Sequence, residues 1–352
     1  MSRLQRLCGV PFVQVPRPRN LLREGRGPAV AEAAIEIDRL RKSFGPKAAV
    51  DDVSFSVAAG TVVGLLGPNG AGKTTVINCL TTLLTPDSGT ARLAGHDVAT
   101  DPAGVRASVA VTGQFAAVDE TLTGRENLVF FGRLLRLTRA GASARAAELL
   151  DQFGLSEAGD MPAGHYSGGM RRRLDLAASL VVPRPILVLD EPTTGLDPRS
   201  RQALWDAVHQ LARDGMAILL TTQYLEEADA LAERIVVIDE GRVIAEGTPK
   251  ELKRDVGGSV CEVQITDAGD RARAAGALAG FVGIKERDDV LVVPMRGTDE
   301  LSAIVRALDG AALKADDIAV HPPTLNDVFF ALTKDHRGSE GPAFDAAGEG
   351  RS

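Results

Sequence analysis

The stretch GPNGAGKTT at residues 67–75 constrains the fold of this 352-residue chain more than any other feature. It fits the pattern G-x-x-x-x-G-K-[ST], and it lies between the apolar run Thr61–Leu66 and the helical pattern Thr74–Leu84. Glycines let the backbone turn tightly and direct its amides at phosphate oxygens, and a helix N-terminus adds a favourable dipole potential. The sequence therefore predicts a phosphate-binding loop (P-loop) between a buried strand and a helix.

The residue types of this loop suit a nucleoside triphosphate with its metal ion. Lys73 would reach the β- and γ-phosphates, and the Thr74 hydroxyl would be a ligand of Mg²⁺. The residues expected to hold ATP here are Gly67, Pro68, Asn69, Gly70, Ala71, Gly72, Lys73, Thr74 and Thr75.

A second motif, ILVLDEP at Ile186–Pro192, places two acids directly after four apolar residues. The apolar residues predict a central strand that delivers Asp190 and Glu191 to its carboxyl end. Asp190 suits Mg²⁺, directly or through water, and Glu191 suits a general base that polarises an attacking water. Two such acids can also form a solvated loop, but the upstream P-loop favours the catalytic interpretation.

A third motif, YSGGMRRRLDLA at Tyr166–Ala177, predicts a helix that Ser167 caps. Gly168 and Gly169 leave the first turn bare, so backbone amides can approach an anion. Alone, SGG is more often a plain N-cap. Its position shortly before the acid-bearing strand makes it more specific.

Apolar strands and helices alternate along the chain, which predicts an α/β fold with a mainly parallel sheet covered on both faces. The segment Ile35–Phe55 adds two short strands around a turn at Gly45–Pro46, and a mostly helical insert precedes Ile186. The predicted fold class is a P-loop NTPase with a helical subdomain, followed by a small α+β domain. The predicted domains are a disordered extension at 1–33, an ATP-binding domain at 34–254 with a helical subdomain at about 115–183, a C-terminal domain at 255–334 and a disordered tail at 335–352.

The C-terminal domain follows the order β-α-β-β-α-β, which suggests a ferredoxin-like unit. A final helix at Leu325–Leu332 would place Leu325, Val328, Phe329 and Leu332 on one face. The arginine- and proline-rich start of the chain has an alternative interpretation as a tether to anionic membranes.

The composition of the chain argues against some classes of function. A net charge of −7 argues against a nucleic-acid partner, and no apolar run reaches the roughly 20 residues that cross a bilayer. The three cysteines are far apart, which fits a reducing cytosol.

These motifs, together with GLD at Gly195–Asp197, occur in the order typical of one family. The chain from about Ile35 to Thr248 resembles the ATP-binding subunit of an ABC transporter. The resemblance implies a homodimer that pairs head to tail, with each ATP between one subunit's P-loop and the other's SGG helix.

The resemblance also implies roles for further residues. Ser167, Gly168 and Gly169 would contact the ATP held by the partner, and Asp197 would lie near the dimer seam. Gln114, in VTGQF, would touch Mg²⁺ and face a permease. Phe44 would stack on adenine, although a phenylalanine after a strand is more often part of a core.

More narrowly, the chain resembles the daunorubicin-resistance group of drug exporters. YSGGMRRRLDLAASL, TTQYLEEAD, EGTPKEL and TLNDVFFALT carry this resemblance. It implies an ATPase that works with a separate membrane permease, peripherally at the cytoplasmic face of the cell membrane, and exports an anthracycline-like drug or natural product. The C-terminal domain would help assembly with the permease or simply pack. Met170 departs from the glutamine usual in the broad family.

Two alternatives for the function stay open. One is the export of lipid or polysaccharide, because the ATPase chain does not contain the substrate pathway. The other is a soluble ABC ATPase acting in translation or DNA repair. Such proteins usually carry two ATPase domains, coiled coils or zinc-binding insertions, whereas this chain has one P-loop, no heptad run and no CxxC.

Gln223 occupies the position where the broad family usually has a histidine facing the γ-phosphate. Glutamine keeps a neutral donor through its amide and loses the titration. Gln223 is therefore predicted to sense the γ-phosphate while catalysis depends on Glu191. The alternative is that Gln223 only caps a strand and that the site hydrolyses ATP slowly.

Overall fold

The structure is a computed structural model that describes residues 33–113, 117–256, 259–295 and 297–334. Disorder was predicted at 1–33 and 335–352, and these residues lie outside this part except for Ala33, which begins a strand. Gln114 also lies outside this part.

Strands and helices alternate through most of the described chain. The strands are β1 Ala33–Phe44, β2 Lys47–Ala58, β3 Val62–Leu66, β4 Ser88–Leu93, β5 His96–Asp97, β6 Val109–Thr112, β7 Ile186–Asp190, β8 Ala217–Thr222, β9 Arg234–Asp239, β10 Arg242–Gly247, β11 Val260–Gln264, β12 Lys285–Arg287, β13 Val290–Pro294 and β14 Asp317–His321. The helices are α1 Lys73–Leu80, α2 Pro102–Ser108, α3 Gly124–Leu134, α4 Arg139–Gln152, α5 Gly168–Ser179, α6 Pro198–Arg213, α7 Leu225–Leu231, α8 Pro249–Val256, α9 Ala268–Ala277, α10 Thr298–Gly310 and α11 Leu325–Lys334.

A six-stranded sheet in the order β10-β9-β3-β8-β7-β6 forms the centre of the first domain. All neighbouring strands pair in parallel except β10, which is antiparallel to β9. Every residue of β3, β7 and β8 is buried, as expected for parallel strands covered on both faces. This confirms the predicted α/β class and places the carboxyl ends of β3, β7 and β8 along one edge.

A second, antiparallel sheet has the order β2-β1-β4-β5, and only β1 and β2 of it were predicted. The two strands expected to be short, β1 and β2, are each 12 residues long, and β1 contains several register shifts. These irregularities interrupt the alternation that a sequence pattern relies on. Neither β4 nor β5 was expected, because β4 buries only Ala91 and Leu93.

Helix α1 is shorter than predicted, since it ends at Leu80 and not at Leu84. The amides of Leu83 and Leu84 both donate to the carbonyl of Asn78, which closes a turn in place of another helical turn. As a result Leu83 is 75% exposed.

Helices α3, α4 and α5 lie between β6 and β7 in the chain, where the helical insert was predicted. Thr123, Thr138 and Ser167 cap their N-termini, and Glu126 completes a capping box with Thr123. Their buried leucines share one core with the central sheet: Leu128, Leu149, Leu150, Leu174 and Leu176.

The second domain has its own antiparallel sheet in the order β12-β13-β11-β14 and its own core. Its elements follow the predicted β-α-β-β-α-β order, and the closer designation as ferredoxin-like stays a prediction. The strand expected at Val282–Arg287 is limited to Lys285–Arg287, because Gly283 has a φ of +87° and Val282 is 82% exposed.

Helix α11 packs against α7 and α8. Its residues Leu325 and Val328 are buried in a cluster that also contains Leu66, the last residue before the P-loop. Phe329 packs against this cluster, so Leu325, Val328 and Phe329 share a face as predicted. None of the helices in the described part is long and apolar enough to cross a membrane.

Candidate ATP-binding site

Three motifs meet at the carboxyl edge of the central sheet. The P-loop follows β3, the acidic turn follows β7 and Gln223 follows β8. Leu66 pairs with Thr222, and Asp190 pairs with Thr221 on the neighbouring strands. The sheet therefore brings the predicted phosphate-binding and catalytic residues side by side.

Lys73 begins α1 and is 6% exposed. Its ammonium donates to the carbonyl oxygens of Gly67 (2.6 Å) and Pro68 (3.0 Å). Burial lowers the pKa of Lys73, and the nearby carboxylates of Glu191 and Asp190 oppose that shift. A buried cation whose hydrogen-bond acceptors are neutral carbonyls is well suited to an anionic phosphate group.

The loop conformation requires glycine at the residue before Lys73. Gly72 has a φ of +107°, and a Cβ atom there would collide with the carbonyl oxygen of Ala49. Only glycine can therefore occupy the residue before α1, a helix whose N-terminus offers amides of the kind that bind phosphate.

The acidic turn after β7 is held by its neighbour β8. The Thr221 hydroxyl donates to the Asp190 carboxylate, and the Glu191 amide donates to the Thr221 carbonyl at 3.1 Å. Glu191 has a φ of +46°, a left-handed conformation that non-glycine residues adopt at an energetic cost. Asp190 is 8% exposed, whereas Glu191 is half-buried and able to meet solvent.

The SGG motif starts α5 as predicted. The Ser167 hydroxyl accepts a hydrogen bond from the Met170 amide at 3.2 Å. A Cβ atom at Gly169 would overlap the side chain of Ser200 on α6, so the close approach of the two helices depends on this glycine. None of the residues that line the two cavities at the P-loop belongs to 167–169, so the structure does not bring SGG into the P-loop cavities of its own chain.

Gln223 is exposed and lines a cavity of about 460 Å³. The lining includes Pro68 and Asn69 of the P-loop and, from α11, Asn326 and Phe329. The structure thus places the predicted γ-phosphate sensor beside the P-loop. It also shows that the last helix of the C-terminal domain reaches this site, which the sequence did not indicate.

Phe44 is 52% exposed at the end of β1, which excludes its alternative interpretation as a core residue. Lys42 lies above the ring, with its ammonium 6.0 Å from the ring centroid. An exposed ring face is available to stack on a base, and stacking on adenine stays a prediction.

Asp197 caps α6. Its carboxylate accepts from the Arg199 and Ser200 amides, each at 3.0 Å, and from the Ser200 hydroxyl at 2.6 Å. These hydrogen bonds lower the pKa of Asp197. The same residue that was predicted near the dimer seam therefore also fixes the start of α6.

Two residues of the site were missed from the sequence. Arg172 donates to carbonyls of the acidic turn, and Glu227 on α7 has both carboxylate oxygens buried. Glu227 lies near Thr193 and Trp205. Within the described chain, the Glu227 carboxylate, the Thr193 hydroxyl and the Trp205 indole nitrogen make no hydrogen bond of ordinary geometry. Arg172 lies in the run RRR and Glu227 in the pair EE, and such runs of charge are usually exposed to solvent. The sequence does not indicate which of these charged residues is buried, because that depends on contacts in the folded chain.

The donor set fits ATP with Mg²⁺. Thr74 and Asp190 supply the hydroxyl and the carboxylate that Mg²⁺ takes alongside phosphate oxygens and water. No cluster of three or more His, Cys, Asp or Glu side chains able to hold a metal ion occurs among the described residues.

Comparison with known families gives two matches. Residues 50–194 match the model described as ABC transporter, and residues 247–333 match the model described as ATP-binding protein DrrA1-3-like, C-terminal domain.

Similar proteins point the same way. The chain is 50% identical to the doxorubicin resistance ATP-binding protein DrrA of Mycobacterium tuberculosis, over 86% of this chain and 95% of that protein. It is 40% identical to the Nod factor export ATP-binding protein I of Burkholderia lata, over 86% and 97% of the two chains. A solved ATP-binding subunit of an ABC transporter, 30% identical, superimposes with a TM-score of 0.56 over 63% of this chain and 92% of that chain.

The resemblance drawn from the motifs is confirmed, as is the ATPase class of the enzyme. The chain belongs to the ATP-binding proteins of ABC transporters, in the group of daunorubicin and doxorubicin resistance ATP-binding proteins.

Proposed function

We propose that this ATPase drives the export of an anthracycline-like drug or natural product through a separate membrane permease. It would act as a homodimer bound peripherally at the cytoplasmic face of the membrane. The observation that carries this proposal is the identity of 50% to a doxorubicin resistance protein across both domains. The structure supports it with an ATP site whose residues converge from three strands.

Each residue of the site has a proposed task. Lys73 and the P-loop amides bind and orient the phosphates, and Glu191 polarises the attacking water. Gln223 donates its amide to the γ-phosphate. Thr74, Asp190 and Gln114 would hold Mg²⁺, which when bound neutralises charge on the phosphate oxygens. Ser167, Gly168 and Gly169 would contact the ATP of the partner, because they stand apart from the P-loop cavities of their own chain.

A cavity of about 470 Å³, separate from the two at the P-loop, supports the proposal that the chain binds a permease. Its lining combines apolar side chains from β6, α3 and the turn after α1 with the charged Arg106, Asp175 and Arg184. Leu83 and Leu135, which also line it, are 75% and 40% exposed. Near it, Phe130 and Leu134 of α3 are 55% and 66% exposed. Exposed apolar surface of this kind typically marks a site of protein interaction, and an apolar cytoplasmic segment of the permease would cover it.

Purification from the native host's membranes tests the partner directly. The chain carries a C-terminal tag, and the proteins that elute with it are identified. A stoichiometric multi-span protein is expected. Elution alone, or with ribosomes or DNA, would leave the ATPase in place and refute the transport proposal.

Variants of the rim localise the contact. Leu83→Asp and Leu135→Asp should reduce the recovered permease at least about fivefold, because a charge would have to be buried at the interface. Val282→Asp is the comparison variant, since Val282 is 82% exposed and does not line this cavity. Equal recovery from all three variants would place the permease elsewhere.

A different cargo is the second candidate function. The identity of 40% to a Nod factor export protein over 86% of this chain favours it. Efflux assays in cells that express the chain with its permease separate the candidates. If the cells are protected from doxorubicin, drug export is supported. If the chain hydrolyses ATP but does not protect the cells, a different cargo is supported.

A further inference from the structure

Arg172 on α5 connects three segments that are distant in sequence. Its Nε donates to the carbonyl of Pro192 at 2.8 Å, and its Nη2 donates to the carbonyl of Asp190 at 3.4 Å. Its Nη1 donates to the carbonyl of Gly113, directly after β6, at 2.6 Å. The side chain is 10% exposed, and its bonds to Pro192 and Asp190 are partly buried.

Asp175, one turn further along α5, completes the network. Its Oδ2 lies 3.4 Å from Nη1 of Arg172, and its Oδ1 accepts from the Ala117 amide at 2.8 Å. Burial lowers the pKa of Arg172 and raises the pKa of Asp175, and each partner opposes the other's shift. Removing two charges from water is unfavourable, so a buried pair of this kind is poor evidence for a role in stability alone.

Two of the three carbonyls that Arg172 contacts flank the predicted general base. Asp190 precedes Glu191 and Pro192 follows it. Glu191 itself has a φ of +46°, a conformation that persists only where the surroundings enforce it. Arg172 thus ties both sides of a strained turn to the helix whose first residues are Gly168 and Gly169.

We infer that Arg172 is a positioning residue that sets Glu191 relative to the SGG end of α5. This inference rests on the proposed function, in which Glu191 polarises water and the SGG residues face the partner's ATP. Arg172 thereby connects the SGG residues, which face the partner's ATP, to Glu191, which acts on the ATP bound to its own chain.

Arginine suits this task and lysine does not. Its guanidinium presents several donors in a fixed plane, so it can bond to separated carbonyls at the same time. A lysine ammonium is a compact point charge on a flexible stem and cannot span these acceptors. Retention of the charge alone should therefore not preserve the arrangement.

The test compares Arg172→Met and Arg172→Lys with wild type in the full-length chain. Both should lower kcat about 10- to 100-fold, because small displacements of a catalytic group have effects of this size. The KM for ATP and the affinity for a fluorescent ATP analogue should stay within about twofold, since the P-loop contacts remain. A fall in kcat without a fall in affinity is the signature of positioning.

Arg145→Met is the matched control. Arg145 also donates to a carbonyl of the α5 segment, that of Leu180 at 3.0 Å, but far from the acidic turn. Its kcat should equal that of wild type.

A second variant guards against simple misfolding. Arg172→Met combined with Asp175→Asn removes both charges and leaves an acceptor for the Ala117 amide. This pair should fold, shown by a cooperative thermal transition, and should still be slow. Wild-type kcat in the double variant, rescue by lysine, or equal losses in kcat and ATP affinity would each overturn the inference. If wild type hydrolyses no ATP, the proposed function fails instead.

Discussion

Gly169 on α5 and Ser200 on α6 approach so closely that a Cβ atom at position 169 would overlap the serine side chain. The contact joins the SGG helix to the helix that Asp197 caps. The glycine therefore has a packing role beside its predicted role at the partner's nucleotide.

Gly169→Ala should lower the free energy of unfolding by about 1–3 kcal/mol, because the added methyl overpacks this contact. Urea denaturation measures the change. Gly168→Ala is the control, since the nearest atom to its Cβ, from Leu196, would be 3.9 Å away. Adding Ser200→Gly to Gly169→Ala should cost less than the sum of the two single changes, because the overlap is then relieved. Equal stability of the two alanine variants would show that the helices separate freely.

Gln223→Ala should reduce kcat about 10- to 100-fold, because a donor to the developing charge is removed. Gln223→His should cost less, since histidine can also present an N–H. Steady-state ATPase assays across a range of pH test both statements. The wild-type pH profile should show no inflection at the pKa of a histidine, because the Gln223 side chain does not titrate. Wild-type turnover in Gln223→Ala would mean that the residue only caps β8.

Glu227 should make stability decrease as pH rises. Burial raises the pKa of its carboxyl, while Thr222, Thr193, Trp205 and the nearby Arg201 oppose the shift only in part. The folded state therefore holds this proton more tightly than the unfolded state. The resulting stability is complete below the unfolded-state pKa and is lost as pH rises through the folded-state pKa, at about 1.4 kcal/mol per unit of pKa difference.

Glu227→Gln keeps the shape of the side chain and removes the ionisation, so it should flatten that decline. Chemical denaturation at a series of pH values provides the measurement. Glu233→Gln, at an exposed position just beyond α7, should leave the decline unchanged. A wild-type and a Glu227→Gln curve that run parallel would refute the prediction.

Leu325→Ala should lower the free energy of unfolding by about 2–5 kcal/mol, because Leu325 is 3% exposed and packs in the cluster that contains Leu66. Val320→Ala, at a residue that is 41% exposed on β14, should change it by no more than about 0.5 kcal/mol. Thermal and urea unfolding give both values. The same small change in both variants would mean that α11 contributes little to the ATP-binding domain.

Local patterns were sufficient to predict the P-loop, the acidic turn and the SGG cap, because each depends on neighbours within about one turn of chain. The parallel sheet followed from strands such as Ile186–Asp190, whose continuous burial leaves an unbroken apolar run. The carboxyl ends of these strands then placed Lys73, Asp190 and Gln223 on one edge without further information.

Contacts between distant segments were beyond the sequence. No sequence pattern indicates which backbone carbonyls Arg172 binds, and one of them, that of Gly113, lies 59 residues away. The strand β4 has a burial pattern too sparse to recognise, and the end of α1 depends on a turn around Asn78. The approach of α11 to the cavity beside Gln223 arises from tertiary packing between two domains.

The most direct test of the site is ATP turnover by wild type and by Glu191→Gln, each purified in full length. Glu191→Gln should bind the fluorescent ATP analogue like wild type and release phosphate about 10²- to 10⁴-fold more slowly, the range expected for loss of a general base. Equal rates of phosphate release, with equal nucleotide binding, would contradict the account and remove Glu191 from the chemistry.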